Sequence, residues 1–320
     1  MSDRNYPMNQ AEFDAAFATE EACWQYLVSA RWPDGFRCPA CAGAKSWLNS
    51  RRLMECSTCG HQVSPTAGTI LHKTRKPLKS WFTAMWWICT QKTGGSARGL
   101  QRIMGFGSYQ TAWGWLHKLR RAMVRVNREK LTGSVEVDEA FIGADEPGVM
   151  GRKSGKKAKI IVGIEIPDDT RRTRGRLRLQ VIKDFSGSSL TPFLVNNIEP
   201  GSVVVTDGWE GYSNVSGLGF KHRVHVGNPD MLPNVHLVIA LVKRWLLGTH
   251  QGAVRRSQLQ HYLDEFAFRF NRRKSAHVGL LFHRLVQGVC AAQPMPYNQL
   301  RAADARQLER KNATRSAHMI

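Results

Sequence analysis

Acidic residues are scarce in this chain: 25 Asp and Glu stand against 46 Lys and Arg in 320 residues, a formal charge of +21. The excess is spread along the sequence rather than held in a tail, so the partner to expect is a polyanion, and nucleic acid is favoured. Long apolar runs are missing as well. No stretch approaches the roughly 18 apolar residues that a membrane-spanning helix needs, and no basic amphipathic segment or lipidation signal points to a membrane surface. The opening residues Met1-Ser2-Asp3-Arg4-Asn5 do not form a signal-peptide pattern. A cytoplasmic, nucleoid-associated protein with no membrane partner is therefore expected. Internal repeats are lacking, and no Ser or Tyr stands out as a nucleophile. Cysteines number 7, and in a reducing compartment they read as metal ligands or buried thiols rather than disulfides. The length allows two or three domains with at least one sizeable core.

Four of the cysteines are grouped. Cys38-Pro39-Ala40-Cys41 and Cys56-Ser57-Thr58-Cys59 are two CxxC pairs separated by 14 residues. Two such knuckles can fold onto each other as short hairpins and offer four thiolates to one tetrahedral Zn²⁺. A ribbon this small has almost no core, so the metal would supply most of its folding free energy. Cys23, Cys89 and Cys290 lie in apolar segments and read as packing residues. The segment before the ribbon, residues 11–32, reads as helical, with Phe13, Phe17, Cys23, Trp24, Tyr26 and Leu27 on one apolar face.

After the ribbon, residues 77–91 form an apolar helix rich in tryptophan. Ser96 can cap a short helix through Met104, Gly105-Phe106-Gly107-Ser108 is a turn, and a further helix runs over 109–124. Helix, glycine turn and helix fit either a helix-turn-helix DNA reader or a plain helical hairpin. In the first case His117, Lys118, Arg120 and Arg121 would face DNA.

Residues 133–275 read as mixed α/β, with strands at 134–142, 159–166, 176–184 and 203–207 and a helix at 189–197. Asp138 interrupts the apolar strand Val135–Ile142, and Asp207 ends the β-branched strand Val203–Asp207. A single acid on a strand is explained by a solvated edge or a salt bridge. Two such strands, each presenting one aspartate, look like two fixed walls of a divalent-metal site. The basic run 151–157 is either a solvated hairpin tip or a phosphate contact, and 168–172 is polar enough to be a turn. A helix begins at Pro233 and is expected to stop at Gly248, with His236 and Lys243 two turns apart on one face. An amphipathic helix over 259–273 follows, and the last twenty residues are basic and weakly apolar.

Taken in order, FRCPAC…CSTCG, VEVDEAFIG, VVTDGWEGY, VKRWLLGTHQG and YLDEFAFRFNRR resemble the DDE-type transposases of bacterial insertion sequences, in the ISXO-like branch with an N-terminal zinc ribbon. These segments run through most of residues 11–290. The resemblance implies an α/β, ribonuclease-H-like (retroviral-integrase-like) catalytic domain over 131–290. Ahead of it would come a helix and zinc ribbon over 1–75 and a helix-turn-helix-like DNA-binding region over 76–130, with a basic tail at 291–320.

The implied activity is cleavage at transposon ends and joining of the freed 3′-hydroxyls to target DNA, by two-metal phosphoryl transfer with Mg²⁺ or Mn²⁺. Double-stranded DNA and a second copy of the chain would be the partners. Residue by residue, Asp138 and Asp207 match the first two catalytic carboxylates, and Lys243 matches a helix-borne lysine that would touch phosphate. The third acidic position, seven residues before that lysine, holds His236. An imidazole there could ligate the metal or hold a phosphate, or it could simply be a packed histidine. Glu139 and Asp230 are alternative acids, although Glu139 should point to the opposite sheet face from Asp138. His236 favours one rival reading, a catalytically impaired zinc-ribbon DNA-binding protein; a metal-dependent nuclease without strand transfer is a closer rival.

Overall fold

The computed structural model describes residues 6–125, 127–143, 157–166, 175–225 and 232–301. The basic run through residue 156, the polar turn at 168–172, Asp230 and the tail beyond 301 lie outside them. The chain divides into two units, residues 1–126 with 275–320, and residues 127–274.

The helical segment expected over 11–32 forms two helices, α1 (Gln10–Ala16) and α2 (Glu20–Arg31). Thr19 is extended and its hydroxyl accepts the Ala22 N–H at 3.1 Å, so a new helix is capped where an apolar pattern alone runs straight through. The ribbon follows as three short antiparallel strands, β1 (Ser46–Leu48), β2 (Met54–Cys56) and β3 (Gln62–Val63). Next come α3 (Leu78–Thr90), α4 (Ala97–Met104) and α5 (Tyr109–Ala122). Ser96 caps α4 by accepting the Gly99 N–H, and Gly105 ends it at φ 62°, a left-handed turn that glycine adopts without steric cost.

The second unit is built on β4 (Ser134–Ile142), β5 (Ala158–Ile166), β6 (Leu177–Ile182), α6 (Gly187–Asn197), β7 (Val203–Asp207), β8 (Lys221–His225), α7 (Pro233–His250) and α8 (Leu259–Phe270). The sheet order is β6-β5-β4-β7-β8. The first three strands form an antiparallel meander, while β7 and β8 run parallel to β4. Alternation along β4 divides the core into two layers. Val135 and Val137 pack with Phe193 and Leu194 of α6 on one face. Ala140 packs with Val238, Val242 and Leu246 of α7 and with Leu263 of α8 on the other.

The strand β8 was not anticipated, because Lys221, His222, Arg223 and His225 leave it without an apolar alternation. At the opposite edge, side-chain amides of α8 and its end stand in for a neighbouring strand. Gln260 accepts from the Val181 N–H at 2.7 Å and donates to the Leu179 carbonyl at 3.1 Å, while Asn271 does the same with both groups of Leu177. An edge satisfied in this way is closed to further strand pairing. The helix α7 passes through Gly248 to His250, two residues beyond the expected stop, and turns at Gln251 (φ 51°) and Gly252 (φ 68°).

Two helices complete the first unit, α9 (Val278–Ala291) and α10 (Tyr297–Arg301). Residues 275–290, read from the sequence with the catalytic segment, thus fall in the first unit, where α9 packs on α2, α3 and α5. Phe282 of α9 is fully buried among Phe13, Phe17, Tyr26, Phe82 and Trp86. This packing takes two of the four basic residues of α5, His117 and Arg120, away from any DNA-facing surface, while Lys118 and Arg121 stay half-buried. His117 and Arg120 are 0% and 1% exposed, Arg120 donates to the Gly95 carbonyl at 3.1 Å, and Trp115 stacks on Trp81 at 3.5 Å. Burial also lowers Lys118 and pushes Arg121 down to about 10. The helices α4, α9 and α10 all pack against α5.

Candidate functional site

The two CxxC segments fold as matched knuckles. In the first, Cys38 N–H donates to the Gly43 carbonyl and Ala42 N–H to the Cys38 carbonyl; in the second, Cys56 donates to His61 and Gly60 to Cys56, all at 2.9–3.0 Å. Each knuckle needs a left-handed residue at its fifth position, supplied by Ala42 (φ 60°) and Gly60 (φ 69°). The four sulfurs all lie within 4.8 Å of one another, with Cys38–Cys59 and Cys41–Cys56 both at 3.6 Å. A tetrahedron of Zn–S bonds of about 2.3 Å has edges of about 3.8 Å, so the sulfurs already stand where zinc would hold them.

Backbone N–H groups of Thr58 and Cys59 lower the Cys56 thiol, which favours the thiolate a metal needs, while the neighbouring sulfurs, Cys41 first, raise Cys59 in turn. Gly43 escaped the sequence reading. A Cβ there would lie 2.8 Å from Thr58 Oγ1 and 3.1 Å from Cys56 Sγ, so a side chain would crowd the metal pocket. The buried apolar cluster of the ribbon is only Phe36, Cys38, Cys56 and Val63. A core of that size leaves most of the ribbon's stability to its metal.

In the second unit, Glu136 and Asp138 share the face of β4 that meets α7, since side chains alternate along a strand. Asp138 is 15% exposed, and its Oδ1 accepts the Glu139 N–H at 2.8 Å. Its Oδ2 lies 3.2 Å from Nε2 of His236, which projects from the first turn of α7. The His236 side chain is 41% exposed, which removes the reading as a packed core histidine. Burial, then the neighbouring charge of Glu139, push Asp138 up to about 6; His236 pulls it down and Asp207 adds to the rise. Asp207 stands on β7 two residues beyond Val205, as Asp138 stands two beyond Glu136, and Glu136 and Val205 are paired. The two aspartates therefore leave neighbouring strands on the same face. The Asp207 Oδ1 accepts the Trp209 N–H at 3.1 Å, which fixes the Asp-Gly-Trp turn.

Asp138, His236 and Lys243 line one cleft of about 1190 Å³, with Lys157 and Arg256 also on its wall. Lys157 is the described end of the basic run at 151–157. Among the described residues, the four cysteines are the only group of three or more possible metal ligands drawn together, and Asp138, Asp207 and His236 do not form such a group. Glu139 lies on the other face, where it accepts the buried Tyr212 hydroxyl at 2.7 Å. That placement matches the expectation that it points away from Asp138.

Glu136 is the residue the sequence reading passed over. It is 3% exposed, its Oε2 accepts the Val235 N–H at 2.7 Å, and its Oε1 accepts from Asn234 Nδ2 at 2.8 Å. The available signal was its spacing, two residues before Asp138 on the same strand face.

Comparison of the sequence points to the DDE-type transposases of insertion sequences, in the form that carries a zinc ribbon. Residues 130–271 match the ISXO2-like transposase domain, and residues 18–62 match the transposase zinc-ribbon domain. With both domains present, the chain belongs to the ISXO-like branch of that family. No curated protein sequence matches it. A solved structure described as the Mos1 strand transfer complex matches over 60% of this chain and 74% of its own, at 13% identity and a TM-score of 0.26. That likeness is too slight to bear on function. Among the described residues no helix is long and apolar enough to cross a membrane.

Proposed function

We propose that the chain cuts DNA at the ends of its element and joins the freed 3′-hydroxyls to target DNA, with Asp138, Asp207 and His236 holding Mg²⁺ or Mn²⁺. The observation that carries this reading is the 3.2 Å approach of His236 to Asp138 in a cleft that Lys243 also lines, within the matched transposase domain. The strand order, third-second-first-fourth-fifth with a helix between the third and fourth, supports a ribonuclease-H-like catalytic domain.

The donor set fits a divalent cation. Two carboxylates supply hard oxygen ligands, and Asp138 is pushed up by burial and by the charges of Glu139 and Asp207, a strain that a cation would relieve. Bound there, the metal would supply Lewis-acid activation of a water or 3′-hydroxyl and stabilisation of the leaving oxygen. The imidazole of His236 contributes no negative charge, which suits Mn²⁺ better than an all-oxygen Mg²⁺ site. Lys243, Lys157 and Arg256 would bind the phosphates on either side of the reacting bond and hold it in line. In the helical region, DNA contact falls to the exposed Arg98 and Arg102 of α4 and to Tyr109 and Gln110 in the first turn of α5. Two element ends require two such sites, so the chain would act as an oligomer on DNA.

The test is cleavage and joining of the element's own ends with Mn²⁺ or Mg²⁺. Asp138→Asn and Asp207→Asn should abolish cutting, His236→Ala should reduce it less completely, and His236→Glu should retain or raise it with Mg²⁺. Binding without cutting would instead identify an impaired DNA-binding protein, and cutting without joining a nuclease.

A further inference from the structure

We propose that Glu136 is a positioning residue that pins the start of α7 to the central strand and thereby sets His236, and Lys243 two turns on, over Asp138. The inference rests on the catalytic reading of that cleft.

Among the described residues, α7 begins without a side-chain cap of its own: Leu232 at the cap position makes no side-chain hydrogen bond to it, and Pro233 occupies its first turn. The free N–H groups and the positive end of a helix dipole call for an acceptor with negative charge. Glu136 provides it from another element, with one oxygen on the Val235 N–H and the other on Asn234 Nδ2. The same device occurs in the first unit. There α3 starts after Pro77 with no side-chain cap, and Glu20 of α2 accepts the Leu78 and Lys79 N–H groups at 2.6 and 3.0 Å.

At α7 the consequence is different, because the residue after Val235 is His236. Two struts therefore join β4 to the first turn of α7, Glu136 to Asn234 and Val235, and Asp138 to His236, and both depart from one strand face. A Glu two residues from a catalytic aspartate is also an obvious candidate for the missing third acid. The hydrogen bonds decide against that role: both of its oxygens already accept from donors of α7, and it is 3% exposed.

The experiment compares Glu136→Ala, Glu136→Gln, Asn234→Asp and Asp138→Asn in the full chain. The readouts are hydrogen exchange at the amide of Val235, the Mn²⁺ concentration that half-saturates cutting, and the cutting rate. The Glu136→Ala change removes both acceptors. Exchange at Val235 should then quicken by about tenfold to a hundredfold, the range that one charge-assisted hydrogen bond spans. Cutting should fall by a similar factor and require more Mn²⁺. In Glu136→Gln the amide oxygen can still accept the Val235 N–H, so all three readouts should stay within about threefold of the parent, since a hydrogen bond is kept.

Unchanged exchange and cutting in Glu136→Ala would overturn the proposal. So would a Glu136→Gln protein as inactive as Asp138→Asn, which would make Glu136 a metal ligand. Asn234 is half-buried, and Asn234→Asp sets a second carboxylate against Glu136. It should loosen α7 in the same way if Glu136→Ala fails to fold, and a parent-like Asn234→Asp protein would also overturn the proposal. Normal cutting by Asp138→Asn would sink the catalytic reading instead, while the exchange data would still decide whether Glu136 anchors α7.

Discussion

Replacing Asp138 by Asn should make the metal-free protein more stable at pH 8. The carboxyl of Asp138 is pushed from 3.8 up to about 6, first by burial and then by Glu139, with Asp207 adding to the rise. An acid whose folded value lies above its unfolded value opposes folding once both states are ionised. The opposition is fully present above the folded value and fades as pH falls through it toward the unfolded one. A rise of this size corresponds to about 3 kcal/mol, and with Asp138 15% exposed, solvent screening takes this toward about 1–2 kcal/mol. Asn preserves the shape and keeps an oxygen to accept the Glu139 N–H, so little is lost in exchange.

Thermal melts in EDTA should therefore show Asp138→Asn above the parent by roughly 2–8 °C at pH 8, taking about 2–4 °C per kcal/mol for a domain of this size. The gap should narrow at pH 5. Adding Mn²⁺ should raise the parent and leave Asp138→Asn nearly unmoved. A mutant less stable than the parent at pH 8, or an equal response of both to Mn²⁺, would refute the electrostatic reasoning.

The ribbon offers two further tests. Metal analysis should find about one zinc per chain, as one tetrahedral Cys₄ site requires, and it should be lost together with ribbon folding in Cys38→Ser and Cys59→Ser. Ala42→Gly should stabilise the zinc-bound ribbon by about 0.5–1 kcal/mol, because Ala42 sits at φ 60° where an L side chain is strained, net of the extra chain entropy of glycine; competition with a zinc chelator would measure it. The overall charge of +21 should make duplex affinity fall about a thousandfold or more between ~50 and ~200 mM salt for six to ten phosphate contacts, and a flat salt titration would contradict binding through the DNA backbone.

Local chemistry was legible in the sequence because local residues complete it. Each knuckle of the ribbon closes its own hydrogen bonds within six residues, so CxxC spacing was enough to define it. The strands carrying Asp138 and Asp207 announced themselves by β-branched runs, and Ser96 and Gly105 marked the ends of α4 through their own caps. What depends on neighbours far along the chain was not legible. His117 and Arg120 of α5 looked DNA-facing in the sequence, yet the fold, with the sequence-distant α9 and α10 packed on α5, buries both. Strand β8 has too few apolar residues to signal itself and exists by pairing with β7. Residue type could not tell a packed His236 from one facing a carboxylate; that was decided by α7 docking on β4. The docking depends in turn on Glu136, whose buried carboxylate is tolerated only because a helix start almost a hundred residues later brings it two donors.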